Sequence, residues 1–227
     1  MNAKHRSSIL DRYLDPASSL GEILFGLIMT LTFTAGAGII IEDEGREGAR
    51  QLLIALIGCN IAWGVIDAAF YLADQLFDRS RLRRIGQAVR GAGDERAAAT
   101  LVAGELDELL ENVTSAPERE ALYTRIAANL RSRPPSAGSN RLTKSDFMGA
   151  LTSFWLVVLS SLPAAIPFLL IDNARLALRV SNAVLLIMMF FIGYWYARYT
   201  VARPWLAGLA LLIVGLVLVG IAIALGG

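Results

Sequence analysis

Five long apolar stretches constrain this chain more than any other feature. A helix needs roughly 20 mostly apolar residues to cross about 30 Å of hydrocarbon. Lipid offers no hydrogen-bond partner to exposed backbone groups, so segments that span it in this way are helical. The sequence therefore predicts an all-α integral membrane protein with five transmembrane helices, at Leu20–Ile41, Ala49–Phe77, Phe147–Ile171, Ala174–Tyr199 and Pro204–Leu225.

The charged residues are concentrated in one long block. The chain is 55% hydrophobic and yet 18% charged, a combination that fits separate apolar and polar segments better than one soluble domain. Residues 78–146 are too polar to insert, and they separate the first two spans from the last three. We expect four parts: an N-terminal segment 1–19, transmembrane helices 1 and 2 in 20–77, a helical insert 78–146, and transmembrane helices 3 to 5 in 147–227.

The distribution of basic residues predicts the orientation. The insert is rich in arginine, whereas the loop Glu42–Glu44 and the turn Asp172–Asn173 are acidic or neutral. Positive residues stay in the cytoplasm, so the N-terminus and the insert are expected inside and the C-terminus outside. A signal peptide cleaved near Ala35–Ala37 is the alternative to the first span, although it would break this charge pattern. The composition rich in arginine and alanine suits a bacterial inner membrane.

Two short helices are predicted inside the insert. The second span should continue as a helix beyond the membrane until Gly91–Gly93 breaks it. Asp94–Val113 has apolar residues at helical spacing, and Ser115 with Glu118 forms the pattern of a capping box that starts a helix to about Leu130. Because two such helices bury little surface alone, we expect them to pack on each other, on the extended second span, or on a second copy of the chain.

Several function classes find no support in the residues. The net charge of +1 indicates no nucleic-acid surface. His5 is the only histidine and Cys59 the only cysteine, which argues against an imidazole zinc or copper site and against an internal disulfide. There is no HExxH spacing, no phosphate-binding glycine loop and no nucleophile with a nearby base. We therefore expect no enzyme and no permanently bound cofactor.

Polar residues inside the spans are the strongest functional signal. An ionisable group in the membrane costs at least a few kcal/mol, so it needs a partner or a function. Asn60, Asp67 and Asp74 are spaced by seven residues and share one face of the second span, with Trp63 close to it; Glu22 opens the first span. This stripe either lines a path for a cation or proton, or Asp67 pairs with an arginine or caps a neighbouring helix.

Two segments resemble the vacuolar iron transporter family. Gly21–Thr32 is similar to its first helix, which has an acidic residue, an apolar run and then Gly-Leu-x-Asp-Gly-Leu-Thr. Ala62–Asp67 is similar to the Met-Gly-x-Gly-Glu segment of its second helix. The order of two spans, an insert rich in glutamate and three spans also matches. The resemblance implies a homodimer in the lipid bilayer that exports ferrous iron or manganese from the cytosol, in exchange for protons.

The resemblance also implies candidate metal ligands. Glu22 and Asp67 fall where the family has membrane carboxylates, and Glu105, Glu108 and Glu111 fall where its insert gathers metal. Met29 replaces the family's aspartate, and Trp63 replaces its methionine; with Asn60, these residues are possible pathway positions. We therefore expect a divalent metal exporter. The loss of a carboxylate at Met29 favours the alternative, a non-transporting membrane protein whose insert binds a partner or senses metal.

Overall fold

The structure is a computed structural model that describes residues 14–36, 38–133 and 141–225, without the side chains of 38–44. Every regular element in these ranges is helical. A short 3-10 turn, Ala197–Tyr199, follows the sixth of seven α-helices, which are α1 (Pro16–Ala35), α2 (Gly38–Gly91), α3 (Glu95–Leu110), α4 (Ala116–Ser132), α5 (Lys144–Leu170), α6 (Ala174–Tyr196) and α7 (Pro204–Ala224).

Five of these helices are long and apolar enough to cross a membrane, namely α1, α2, α5, α6 and α7. The predicted number of spans is therefore confirmed, and the chain is a multi-pass membrane protein. The predicted extension of the second span is also confirmed, because α2 continues without a break past Phe77 and ends at Gly91. That length exceeds what the hydrocarbon layer requires.

The predicted bounds of the first span are wrong at both ends. The helix starts earlier because Asp15 is an N-cap: its carboxylate accepts hydrogen bonds from the backbone N–H groups of Ala17 and Ser18, both at 3.0 Å. A hydrogen bond from the Ser18 hydroxyl together with these bonds lowers the pKa of Asp15. At the other end the helix stops at Ala35, so apolar composition alone extended the prediction too far.

The predicted loop at Glu42–Glu44 is also wrong, because the backbone is helical from Gly38 onward. Two helical stretches meet at Gly45, whose φ of 58° is in the left-handed region that glycine adopts at little cost. Three basic residues that precede the first span, Lys4, Arg6 and Arg12, lie outside the described residues, as do residues 134–140.

The chain divides into two compact units, Met1–Leu72 with Lys144–Gly227, and Ala73–Thr143. In the first, which we call the membrane bundle, α1 packs against α5, α6 and α7. Its core consists of buried side chains from α1, α5 and α6, among them Leu27, Leu31, Ala164, Leu185 and Met189. Glycines let α6 and α7 approach closely: a Cβ added at Gly193 would lie 2.6 Å from the Ala207 carbonyl oxygen.

The two prolines of α5 do not interrupt its helix, which is continuous from Lys144 to Leu170. Pro163 and Pro167 lie on either side of Ala164, which is buried in the core. The Ser181 hydroxyl on α6 donates a hydrogen bond of 2.8 Å to the Ala164 carbonyl. This region of α5 is therefore packed against α6.

The second unit, which we call the insert unit, contains the end of α2 with α3 and α4. Val89, Ala98, Val102, Tyr123 and Ala127 form its buried core. The predicted capping box at the start of α4 is confirmed: the carboxylate of Glu118 accepts hydrogen bonds from the backbone N–H and the hydroxyl of Ser115. Both predicted helices are therefore present, and they pack on each other and on α2.

Candidate functional site

Two carboxyl groups meet inside the membrane bundle. The side chain of Glu22 on α1 interacts with that of Asp67 on α2 and with the hydroxyl of Ser153 on α5. Both carboxyl side chains are half-buried, and Ser153 is fully buried. Two ionised carboxylates that interact directly repel each other. Protonation of one group, or a bound cation, would remove this repulsion.

No basic side chain neutralises this pair among the residues that the structure describes. The side chains that interact with Glu22 are those of Asp67 and Ser153, and the side chain that interacts with Asp67 is that of Glu22. The ion pairs elsewhere in the described chain use other carboxylates. The alternative in which Asp67 pairs with an arginine thus finds no arginine beside Asp67 in the part of the chain that the structure describes.

In the described part of the membrane bundle, four buried polar atoms make no hydrogen bond of good geometry. In the described chain they are the hydroxyl oxygens of Ser19 and Ser153, Oδ2 of Asp67 and Oδ1 of Asn60. Ser19 precedes Glu22 by one turn of α1, and Asn60 precedes Asp67 by two turns of α2. Native proteins leave few buried polar atoms without a partner. We call the contact surface of α1, α2 and α5 that contains these atoms, with Glu22, the polar seam.

The contacts between α1 and α2 fix the register of the polar seam. Phe25 packs edge to face against Trp63, with ring centroids 5.6 Å apart. Further along, the side chain of Asn60 donates a hydrogen bond of 3.3 Å to the hydroxyl oxygen of Thr30. Together with the Glu22–Asp67 contact, these pairs show that the two helices run antiparallel. The seam therefore has a carboxylate end and an amide end.

The three possible pathway residues have different positions. Asn60 is 1% exposed and belongs to the polar seam. The ring of Trp63 packs against Phe25, so Trp63 contributes to the packing of α2 on α1. Met29 is half-buried and follows Glu22 by seven residues, which puts it on the same side of α1 and level with Asn60.

The predicted carboxylates of the insert do not form a comparable cluster. Glu105 makes an ion pair of 2.7 Å with Arg81, and Glu108 and Glu111 are exposed. Nowhere in residues 14–36, 38–133 and 141–225 do three or more His, Cys, Asp or Glu side chains gather as they would around a metal ion. The structure brings Glu22 and Asp67 together but not Glu105, Glu108 and Glu111.

Sequence reasoning missed Ser153 and Thr30 as members of the site. Serine and threonine inside apolar helices commonly bond to their own backbone, as Thr30 does to the Gly26 carbonyl at 2.7 Å. Neither residue is ionisable, so the membrane cost that singled out Asp67 did not apply. Their only signal is position: Thr30 follows Glu22 by eight residues and therefore falls on the same side of α1.

Comparison of the sequence with known protein families gives a match over part of the chain. The model of the VIT family matches residues 87–227, which is more than half of the chain. The match covers the last turn of α2, both helices of the insert and the last three spans. No curated protein matches the chain.

Proposed function

Because the chain belongs to the VIT family of membrane metal-ion transporters, we propose that it exports a divalent cation, Fe²⁺ or Mn²⁺, from the cytosol through the polar seam. In this proposal Glu22 and Asp67 are the ligands that carry charge, and Ser153 contributes a neutral oxygen. The observation that carries the proposal is the carboxyl pair within the spans, which has no basic partner among the described residues.

The chemistry of the pair suits this cargo. Carboxylate and hydroxyl oxygens are hard ligands, and they favour hard or borderline divalent cations over soft ones. Two carboxylates carry a charge of −2, so one divalent cation makes the occupied site neutral, which lowers the cost of holding it in a medium of low dielectric constant. Cys59 on α2 is half-buried and is not placed among these ligands.

The same pair can couple metal movement to protons. When the cation leaves, the two carboxylates can be neutralised again by protons, so that metal and protons occupy the site in turn. Proton-coupled export in this form requires no further ionisable group in the membrane bundle. With the N-terminus in the cytoplasm, as the basic residues favour, the carboxylate end of the polar seam is the cytoplasmic end and the ion enters there.

The three glutamates predicted to gather metal in the insert have a secondary role in this proposal. Glu108 and Glu111 are exposed and unclustered, so they would raise the local cation concentration by charge rather than by coordination. Glu105 would contribute less, because Arg81 already offsets it. The insert thus collects cations weakly, and the spans bind them.

A second candidate function rests on the apolar surface of the insert unit. Leu82, Leu109 and Val113 are 70%, 71% and 77% exposed, although exposed leucine and valine side chains of this size usually contact something. In this alternative the insert docks a protein partner or a second copy of the chain as a homodimer, and the protein senses metal without moving it. The replacement of a family aspartate by Met29 favours it.

The deciding experiment is Mn²⁺ uptake into proteoliposomes that enclose a metal-sensitive dye. Asp67→Asn and Glu22→Gln keep size and remove charge, so each should reduce uptake to near the level of empty vesicles. Asp74→Asn is the matched control, because it makes the same change on an exposed residue two turns along the same helix. Equal uptake by wild type and Asp67→Asn would refute the carboxylate assignment. No uptake by wild type above empty vesicles would favour the second candidate.

A further inference from the structure

Asn60 is the most buried side chain in the polar seam that the carboxylate proposal leaves without a role. It lies on α2, is 1% exposed, and carries no charge. It precedes Asp67 by two turns, which places it about 10 Å further along the helix axis. A buried carboxamide in an apolar span is costly unless its donors and its acceptor are all satisfied.

Hydrogen bonds fix which way this amide points. The Thr30 hydroxyl gives its own proton to the Gly26 carbonyl at 2.7 Å, so toward Asn60 it can only accept. The amide nitrogen of Asn60 donates to that oxygen at 3.3 Å and to the Leu56 carbonyl at 3.0 Å. Turning the amide over would set its oxygen against two acceptors. The nitrogen side is therefore fixed, and so is the direction of the oxygen.

The fixed oxygen has nothing to bind within the described residues. Oδ1 of Asn60 is buried and makes no hydrogen bond. The amide is thus held by two bonds in an orientation that presents an unused acceptor inside the membrane bundle. Such an arrangement is costly when empty, and it is what a preformed oxygen ligand requires.

We propose that Oδ1 of Asn60 is a ligand at a second, uncharged position for the divalent cation, deeper in the membrane bundle than the carboxyl pair. This inference rests on the proposed function and extends it. Thr30 is a positioning residue, because its hydroxyl orients the amide without facing the ion. Ser161 on α5 lies at the same level, since it is separated from Thr30 by the same number of residues as Ser153 from Glu22, and it is fully buried.

A neutral second position has two consequences for transport. An amide oxygen binds a divalent cation more weakly than two carboxylates do, so the ion can leave this position again, as conduction through several sites requires. An amide also takes up no proton in the pH range of a cell. Protons can therefore replace the cation at Glu22 and Asp67 but not at Asn60, which separates the coupling step from the step that moves the ion onward.

The test compares Mn²⁺ binding with Mn²⁺ uptake in the full-length protein. Asn60→Leu removes the oxygen at similar volume; it should leave binding at the carboxyl pair within about twofold of wild type and lower uptake at least about tenfold. Asn60→Asp keeps an oxygen at this position and should bind Mn²⁺ at least as tightly as wild type. Thr30→Val removes one of the two hydrogen bonds that orient the amide and should lower uptake by about tenfold.

Each outcome has a defined meaning. Wild-type uptake by Asn60→Leu with intact Mn²⁺ binding overturns the second position and leaves the carboxyl site standing. Should Asn60→Leu also lose binding through misfolding, Thr30→Val decides, because it is nearly isosteric: full uptake by that variant overturns the inference. If Asp67→Asn binds and transports Mn²⁺ normally while Asn60→Leu loses uptake, the carboxyl site is refuted and the second position is supported. Absence of binding and uptake in wild type refutes both.

Discussion

The carboxylates of the insert unit and those of the membrane bundle have opposite surroundings. In the insert unit, Asp107 accepts hydrogen bonds from Arg119 and Tyr123 at 2.8 and 2.9 Å, and Glu105 pairs with Arg81. In the membrane bundle, Glu22 and Asp67 face each other without a basic group among the described residues. Water makes an unpaired carboxylate cheap and the membrane makes it expensive. Asp107 and Glu105 are therefore paired where pairing gains little, whereas Glu22 and Asp67 have no basic partner among the described residues where the cost is high.

This difference in surroundings makes Glu22 and Asp67, rather than the acids of the insert, the candidates for a functional role. A carboxylate without a basic partner in a span costs free energy that an apolar residue of similar size would not cost. The pair persists beside further buried oxygen atoms that also lack partners. The family match, in contrast, begins at residue 87 and includes neither Glu22 nor Asp67. Of the three proposed ligands, only Ser153 therefore lies in the region that identifies the family.

Neutralising the two kinds of acid should separate them most clearly. Asp67→Asn should weaken Mn²⁺ binding to the purified protein by about 100-fold, because it removes one of two charged ligands. The combined change Glu108→Gln and Glu111→Gln should weaken it by no more than about threefold, as expected for screened surface charge. Isothermal titration calorimetry at two salt concentrations measures both. A larger loss in the insert variant than in Asp67→Asn would reverse our assignment of the main binding site.

The glycines of the two units offer a comparison of packing. A Cβ added at Gly26, one turn after Glu22, would overlap the Ser160 hydroxyl and lie 2.8 Å from the Val157 carbonyl oxygen. Gly26→Ala should therefore push α1 away from α5 and destabilise the protein by about 1–3 kcal/mol. Thermal unfolding in detergent tests this, and Mn²⁺ affinity should fall with it because the polar seam lies between the same helices.

Gly104→Ala is the matched control for that substitution. Gly104 lies inside α3 with nothing within 4 Å of an added Cβ, so alanine should stabilise the helix by up to about 1 kcal/mol. Resistance of the insert to proteolysis should rise, and Mn²⁺ affinity should not change. Equal destabilisation by the two alanines would mean that α1 and α5 do not approach as closely as described.

The spans and the insert helices could be predicted from sequence because hydropathy and capping act locally. Runs of apolar residues long enough to cross a membrane have few other solutions, and Ser115 with Glu118 forms a cap wherever the chain places it. The start of α1 was missed because Asp15 and Pro16 begin a helix outside the apolar run. The helical backbone at 42–44 was missed because acidic residues before a span were interpreted as a loop.

The candidate site could be predicted only in part, for a related reason. The membrane cost of charge singled out Glu22 and Asp67 one at a time. Their contact, and the hydrogen bond from Asn60 to Thr30, depend on α1 and α2 being antiparallel neighbours at a particular register. Periodicity within one helix contains no information on register between helices, so Ser153 and Thr30 could not be assigned.

The hydrogen bonds of Asp107 are expected to make a smaller contribution. The Tyr123 side chain is 5% exposed, and its hydroxyl donates to Asp107; burial, followed by this bond and the nearby negative charge, raises the pKa of Tyr123. Tyr123→Phe should destabilise the insert less than Gly26→Ala destabilises the membrane bundle, because it removes one hydrogen bond without a steric clash. Hydrogen exchange of the amides of α3 and α4 measures this, and Mn²⁺ uptake should stay unchanged. A loss of uptake would instead tie the stability of the insert to transport.

The smallest expected effect is a dependence on pH at the start of α4. Hydrogen bonds from the hydroxyl and the backbone N–H of Ser115 lower the pKa of Glu118. A carboxyl group whose pKa is lower in the folded state stabilises that state above its ordinary pKa, and the contribution is lost as the pH falls through the lowered value. Amide exchange in the first turn of α4 should therefore accelerate in acid, and Glu118→Gln should remove this dependence because glutamine does not titrate. Acid sensitivity that persisted in Glu118→Gln would have to come from another group. Since the carboxylate acts through local bonds to Ser115 alone, the change should stop within this helix and leave Mn²⁺ uptake as it was.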